Sequence, residues 1–181
     1  MVKPVLETER LVFTPWTADD LPLIVELHSD PEVQRFLGGA WAPDVFRATL
    51  ERQLKAQAEF GFSKWCVHLK DGTFVARAGV EPWPREGERC GAEAEIGYAL
   101  KRDWWGRGLA TEAAAGVARW FFANTDRDHL IGFTDPENHA SQQVLAKIGM
   151  APLGLADMGF DQPSALFRME RPTASVSPLR G

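Results

Sequence analysis

Two glycines one residue apart, Gly106 and Gly108, stand where a strand-like run gives way to an alanine-rich one: Glu95-Ile96-Gly97-Tyr98-Ala99-Leu100-Lys101-Arg102-Asp103-Trp104-Trp105-Gly106-Arg107-Gly108-Leu109-Ala110-Thr111-Glu112-Ala113. Glycines let a backbone turn sharply, with N–H groups converging and no Cβ in the way. A helix beginning there adds unpaired N–H donors and the positive end of its dipole. The turn is therefore an anion site in principle, to which Arg107 can add charge and Thr111 a hydroxyl. A P-loop would need Gly-Lys-Ser/Thr entering the helix, and Leu109-Ala110 stand there instead. The dinucleotide pattern GxGxxG lacks its third glycine. Taken alone, two glycines are more often a bare strand–helix corner.

Other residues could move protons. Glu95 lies on the strand leading into the turn, between Ala94 and Ile96. Partial burial there would raise its pKa toward that of a useful base. A solvent-facing glutamate or a structural ion pair is as good a reading, and Glu93 on the same strand face is the alternative. The four histidines, His28, His68, His129 and His139, form no constellation and read as structural or surface residues. Asn138 precedes a helical run and reads as its N-cap.

These residues need elements to position them. Arg10 to Trp16 is apolar and β-prone. Thr17 caps a helix with Leu23, Ile24 and Leu27 on one face, ended by Asp30-Pro31. Pro43 opens a second helix whose Val45, Phe46, Leu50 and Leu54 recur at helical spacing up to Gly61. Ser63 to Leu69 and Thr73 to Val80 are strands joined by Lys70-Asp71-Gly72, a hairpin signal. Pro82 to Arg89 reads as a loop and Ala92 to Leu100 as a strand. A helix over Leu109 to Ala123, a strand over Leu130 to Thr134, a helix over Asn138 to Ile148, and strands over Met150 to Ala156 and Ala165 to Glu170 complete one α/β domain.

Composition bounds the rest. At 181 residues and 45% apolar, the chain suits one domain burying about 70% of its unfolded surface. A net charge of −5 speaks against nucleic acid or anionic lipid and mildly favours an amine partner. No apolar run approaches the ~20 residues of a membrane span. The opening Met1-Val2-Lys3-Pro4-Val5-Leu6-Glu7 becomes acidic too early for a signal peptide. Cys66 and Cys90 form neither a CxxC pair nor a Cys/His cluster, so a reducing cytoplasm is expected, with no metal and a buried structural thiol at each.

Trp105-Gly106-Arg107-Gly108-Leu109-Ala110 resembles the pyrophosphate loop of the GNAT N-acetyltransferases, Arg/Gln-x-x-Gly-x-Gly/Ala, with Trp105 where Arg or Gln is usual. With Ala110-Thr111-Glu112-Ala113 following, it is similar to the branch of ribosomal-protein N-terminal acetyltransferases. Asn138-His139-Ala140-Ser141, then Leu145-Ala146-Lys147-Ile148-Gly149-Met150, resembles that family's second motif. Thr8-Glu9-Arg10-Leu11, Asp30-Pro31-Glu32-Val33 and Gly79-Val80 match in order, so the resemblance covers residues 5–170. It implies one domain over 1–170 and a mostly antiparallel mixed sheet flanked by helices, with a V-shaped opening between the Ala92–Leu100 and Leu130–Thr134 strands; Arg171 to Gly181, polar with two prolines, reads as a loose tail.

The resemblance further implies acetyl-CoA as cosubstrate and no metal. Its pantetheine arm would bond to backbone at Ala99, Leu100 and Arg102 and to Asn138; its pyrophosphate would bond to amides of Gly106, Arg107, Gly108, Leu109 and Ala110, with Thr111. Glu95 takes the place of the base. Leu145 stands where many members have a tyrosine proton donor, so Ser141 becomes the candidate acid, or else a CoA contact. Trp41, Glu81 and Trp83 fall at the acceptor cleft. The implied activity is acetyl transfer to a primary amine by direct attack, in a monomer or homodimer; three kinds of acceptor suit the family, a protein N-terminus, a small amine or an amino-sugar antibiotic. The alternative is a non-catalytic acyl-CoA-binding sensor, favoured by Leu145.

Overall fold

The computed structural model describes residues 3–85 and 90–173. The chain runs β1 (Leu6–Glu7), β2 (Leu11–Thr14), α1 (Leu21–His28), α2 (Pro31–Gln34), α3 (Pro43–Phe60), β3 (Lys64–Leu69), β4 (Phe74–Trp83), β5 (Glu93–Leu100), α4 (Leu109–Asn124), β6 (His129–Thr134), α5 (His139–Lys147), β7 (Ala151–Ala156) and β8 (Ser164–Glu170). The strands form one sheet in the order β1-β2-β3-β4-β5-β6-β8-β7. Every neighbouring pair is antiparallel except β5 and β6, which run parallel.

Strand alternation divides the side chains between two faces. Trp65 and Val67 on β3, Ala76, Ala78 and Val80 on β4, and Ala94 and Ile96 on β5 pack with α4 through Ala113, Val117 and Phe121. Small residues on both sides bring α4 close to the sheet. Burying Val117 and Phe121 completely contributes about 1.5–3 kcal/mol each, which fixes the helix that the two glycines lead into. On the opposite face, Cys66 and Ala99 meet Ile24 and Leu27 of α1 and Leu50 of α3. Between them this face carries Lys64, Arg77, Glu81 and Glu95, all buried.

Several local readings differ from the sequence pattern. A short β1 pairs with β2, where no strand is expected. β4 continues through Pro82 to Trp83 opposite Ala94 and Glu93, beyond the expected end at Val80. The buried side of α3 is Thr49, Leu50, Gln53 and Ala56, while Val45 is exposed. Helical periodicity pointed to a more apolar stripe, but α3 covers charged strands, so its inner face carries amides. Cys66 is buried, whereas Cys90 is exposed, because Cys90 lies beyond the end of β4 rather than inside the sheet. The readings of residues 86–89 as loop and of 174–181 as loose lie outside the described residues. Among the described residues no helix is long and apolar enough to cross a membrane.

Candidate active site

β5 and β6 share one registered pair, Glu95 opposite Ile131. One step further, a Cβ on Gly132 would lie 3.2 Å from Ile96, so the strands still touch there. No pairing continues from that point to Leu100 and Thr134. At the other end, His129 Nε2 lies 2.5 Å from Glu93 Oε2, so the sheet is closed there. Glu95 thus stands at the fork of a V, and beyond it the β6-facing edge of β5 has no partner strand among the described residues. Glu93, the alternative base, is at the closed end and engaged by His129.

Glu95 is 4% exposed, and Lys64 Nζ lies 2.6 Å from its Oε2. The lysine reaches it because position 97 has no side chain: a Cβ on Gly97 would fall 2.5 Å from Lys64 Cε. The same ammonium lies 3.0 Å from Glu81 Oε2. Glu81 is fully buried and also accepts from Arg52 Nε and Gln53 Nε2, both at 2.7 Å. Burial would push its carboxyl pKa up, but Lys64, Arg85, Arg52 and Arg77 outweigh that and hold it well below the ordinary range. Its hydrogen-bonding capacity is therefore spent within the protein.

Beyond the V, Gly106 and Gly108 take left-handed φ values of 71° and 76°, and Gly108 caps α4. A Cβ on Gly106 would meet nothing within 4 Å, and one on Gly108 would meet only Arg10 Nη2 at 3.6 Å. Both glycines therefore face open space at the start of α4. Arg107 is exposed and its guanidinium sits 4.7 Å from the Trp104 ring centroid. Trp105 donates its indole N–H to the Leu100 carbonyl at 2.9 Å, tying the turn to the end of β5. Arg102 pairs with Asp30 at 3.2 Å. Ala99, Leu100 and Leu109 are buried, while Ala110 and Thr111 are half-buried.

The turn is braced from the N-terminus, a device hidden in the sequence. Glu112 accepts from Thr8 Oγ1 at 2.6 Å, the Arg10 amide at 2.8 Å and Arg10 Nε at 2.6 Å. Arg10 Nη1 also donates to the Arg107 carbonyl at 2.9 Å. Burial works against the Glu112 charge, yet these bonds hold its carboxyl below the usual range. A Thr8-x-Arg10 pair and a Glu in the first helical turn are the signal, a hundred residues apart.

Asn138 caps α5, its Oδ1 accepting from the Ser141 amide at 3.1 Å. Leu145 is buried and offers no proton. Ser141 Oγ lies 3.0 Å from the hydroxyl of Tyr98, which also donates to the Ser141 carbonyl at 3.0 Å. Burial, with the charge of Glu95, pushes the phenol pKa above its usual value although Ser141 works the other way, so Tyr98 is a donor at any physiological pH. It is the chain's single tyrosine and lies three residues past Glu95, on the α5 side of the V; sequence reasoning passed over it.

Trp41 is half-buried and stacked on His28 at 4.1 Å. Trp83 ends β4 against Phe133 at 4.7 Å and Phe160 at 5.8 Å. The structure therefore brings Glu95, Tyr98, Ser141 and the glycine turn to the open V, sets Glu81 directly across the β4–β5 pair from Glu95, and places Trp41 and Trp83 apart, in the loop before α3 and at the end of β4.

Comparison with known proteins gives this geometry a context. The model of the acetyltransferase (GNAT) domain matches residues 10–151. The chain is 30% identical over 133 residues to the uncharacterized protein YkkB of Bacillus subtilis (strain 168), covering 73% of this chain and 76% of that protein. Its fold superimposes on an acetyltransferase from Agrobacterium tumefaciens str. C58 with a TM-score of 0.81 at 24% identity, over 94% of this chain and 95% of that one. RimL, a ribosomal alpha-N-protein acetyltransferase in complex with coenzyme A, gives 0.75 at 12% identity, over 93% and 98%.

Proposed function

Because the chain belongs to the acetyltransferase (GNAT) family, whose acyl donor is acetyl-CoA, we propose that it transfers acetyl to a primary amine by direct attack at the fork of β5 and β6. The observation that carries this reading is the single β5–β6 pair at Glu95 and Ile131, with the open glycine turn at the end of the same strand. The unpaired β5 edge past Glu95 suits an amide-bearing arm added like a strand, near Ala99 to Arg102. The amides from Gly106 to Ala110, with Thr111 and the α4 dipole, suit a pyrophosphate. Asn138, at the start of α5, lies on the other wall.

The cosubstrate supplies an activated acetyl thioester. The acceptor amine must be neutral to attack, and Glu95 at the fork receives its proton. Lys64 keeps that carboxylate in place between the two strands. Ser141 Oγ protonates the leaving sulfur, and Tyr98 holds Ser141 in position. Trp41 and Trp83 border the acceptor's approach. A non-catalytic acyl-CoA sensor is the reading that the buried Leu145 favours; the Tyr98–Ser141 pair favours catalysis.

Calorimetric titration tests the cosubstrate assignment. Acetyl-CoA should bind one saturable site, while ATP and NAD give no heat. Binding of ATP or NAD in its place, or no heat from acetyl-CoA at several temperatures with folded protein, would sink the reading.

A further inference from the structure

The described residues form two apolar cores, and three aromatic rings beside the fork belong to neither. They are Trp83 at the end of β4, Phe133 on β6, and Phe160 in the connection from β7 to β8. Ring centroids lie 4.7 Å apart for Trp83 and Phe133, and Phe160 lies 5.8 Å from each of them. Phe160 is 50% exposed, and Trp83 and Phe133 are half-buried. A single exposed apolar side chain is ordinary, whereas a contiguous cluster drawn from three elements is a recurrent mark of a binding surface.

Strand register places these rings at Glu95. Trp83 pairs with Glu93 and Glu81 with Glu95 across β4 and β5, so the four side chains share one face of the sheet. Ile131 is registered with Glu95 across β5 and β6, and Phe133, two residues on, shares that face as well. β5 lies between β4 and β6. Trp83 stands two residues to one side of the level of Glu95 and Phe133 two residues to the other. Rings that touch from those positions meet over β5 at the level of Glu95. An amine that reaches Glu95 on this face therefore has aromatic carbon beside it.

The charges around the rings are already engaged. The Arg85 guanidinium sits 4.8 Å from the Trp83 ring centroid and 3.3 Å from Glu81 Oε2, which holds a cation against the indole. Glu93, opposite Trp83, is bound by His129. A polycationic acceptor would meet the guanidinium, whereas an apolar group adds to the ring contacts. Size separates a ligand from a partner chain. Three partly exposed rings offer on the order of 300 Å², well short of the ~800 Å² per partner of a stable protein interface. One aromatic side chain buries about 150–250 Å², which fits.

We propose that Trp83, Phe133 and Phe160 form the specificity surface of the acceptor site, so that the acceptor is a primary amine bearing an aromatic ring on a short linker. The proposal rests on the transferase reading above, which puts the reacting amine at Glu95.

The test uses matched acceptors that differ by a ring: phenethylamine against ethylamine, phenylalanine amide against alanine amide, and short peptides beginning with phenylalanine against those beginning with alanine. With acetyl-CoA saturating and rates referred to the neutral amine, kcat/KM should be higher for the ring-bearing members by roughly 10- to 100-fold, the scale of burying a phenyl group. In Phe160→Ala and in Phe133→Leu that ratio should fall by about 3- to 10-fold, the scale of one aromatic pair. A change that only loosens the fold slows both members of a pair and leaves their ratio alone. In parallel, the N-acetyl forms of the same amines are titrated into protein loaded with CoA, which needs no turnover, and sedimentation reads the oligomeric state.

Ring preference among the free amines assigns a small-molecule acceptor, and among the peptides alone a protein N-terminus; either supports the surface. Acetylation with no ring preference, or with a preference that survives undiminished in both variants, overturns the surface and leaves the transferase reading intact. A dimer that Phe160→Ala separates, with no ring preference, assigns the rings to a second copy and also overturns it. N-acetyl products that bind better with the ring, with no acetyl transfer to any amine, support the surface and refute the transferase reading. Neither transfer nor a binding preference overturns both.

Discussion

Gly108 and Gly61 form a matched pair for testing the phosphate turn. Gly108 has φ 76° and ψ 1° at the start of α4, and Gly61 has φ 76° and ψ 2° at the end of α3. A Cβ at Gly61 would meet nothing within 4 Å, and one at Gly108 only Arg10 Nη2 at 3.6 Å. Alanine at either position therefore pays the same left-handed strain, about 1–2 kcal/mol. For a chain of this length that is a fall of about 2–8 °C in Tm, nearly equal in the two variants. Only at Gly108 would relief of the strain turn the amides that face an anion. Losing one charge-assisted bond there is worth about 1.5–3 kcal/mol, or roughly 10- to 150-fold in Kd. Calorimetric titration of both variants with acetyl-CoA, alongside their melting curves, reads the two effects separately. Similar Tm losses with an affinity loss confined to Gly108→Ala are expected. Unchanged affinity in a folded Gly108→Ala, or an equal loss in Gly61→Ala, would refute the placement of the phosphates.

Three further outcomes are expected. Glu95→Gln should lower kcat by about 10²–10⁴-fold while acetyl-CoA binding stays close to wild type; undiminished turnover with a saturating acceptor removes Glu95 as the base. Tyr98→Phe and Ser141→Ala should each slow turnover, and the double variant should be no slower than the worse single one, because the two hydroxyls act as one unit; fully additive losses argue against a shared role. Glu81→Gln should cost about 3–5 kcal/mol in denaturant unfolding, since it leaves Lys64 and Arg52 facing a neutral group. As the folded-state pKa of Glu81 lies below 4.5, its contribution is full above that pH and is lost as pH falls through the lower folded value. Wild type should therefore lose stability below about pH 4.5 more steeply than Glu81→Gln, and parallel acid curves would contradict this.

Much of this was legible from residues near one another in the chain. The glycines at 106 and 108, the alanine-rich start of α4 and the Asn138 cap act within a few residues of their partners, and local chemistry set them correctly. The ends of β4 and the inner face of α3 were not legible, because each is decided by what lies across the sheet. Pro82 is held in β4 by pairing with Ala94, and Gln53 is drawn inward by Glu81. Lys64 would ordinarily be assigned to solvent, and only the bare position at Gly97 shows how it lies across the sheet. Tyr98 drew no attention because its partner, Ser141, is forty-three residues away. The brace from Thr8 and Arg10 to Glu112 escaped for the same reason.

The most direct measurement is product formation. The protein is incubated with acetyl-CoA and a panel of free amino acids, amino-acid amides, peptides with free N-termini and amino sugars, and both products are followed by mass spectrometry; a thiol reagent would also react with the exposed Cys90. The expected result is N-acetylated amine and CoA in equal amounts, saturating in both substrates and suppressed in Glu95→Gln. Saturable acetyl-CoA binding with no acetylated amine from any member of the panel would contradict direct transfer at the β5–β6 fork.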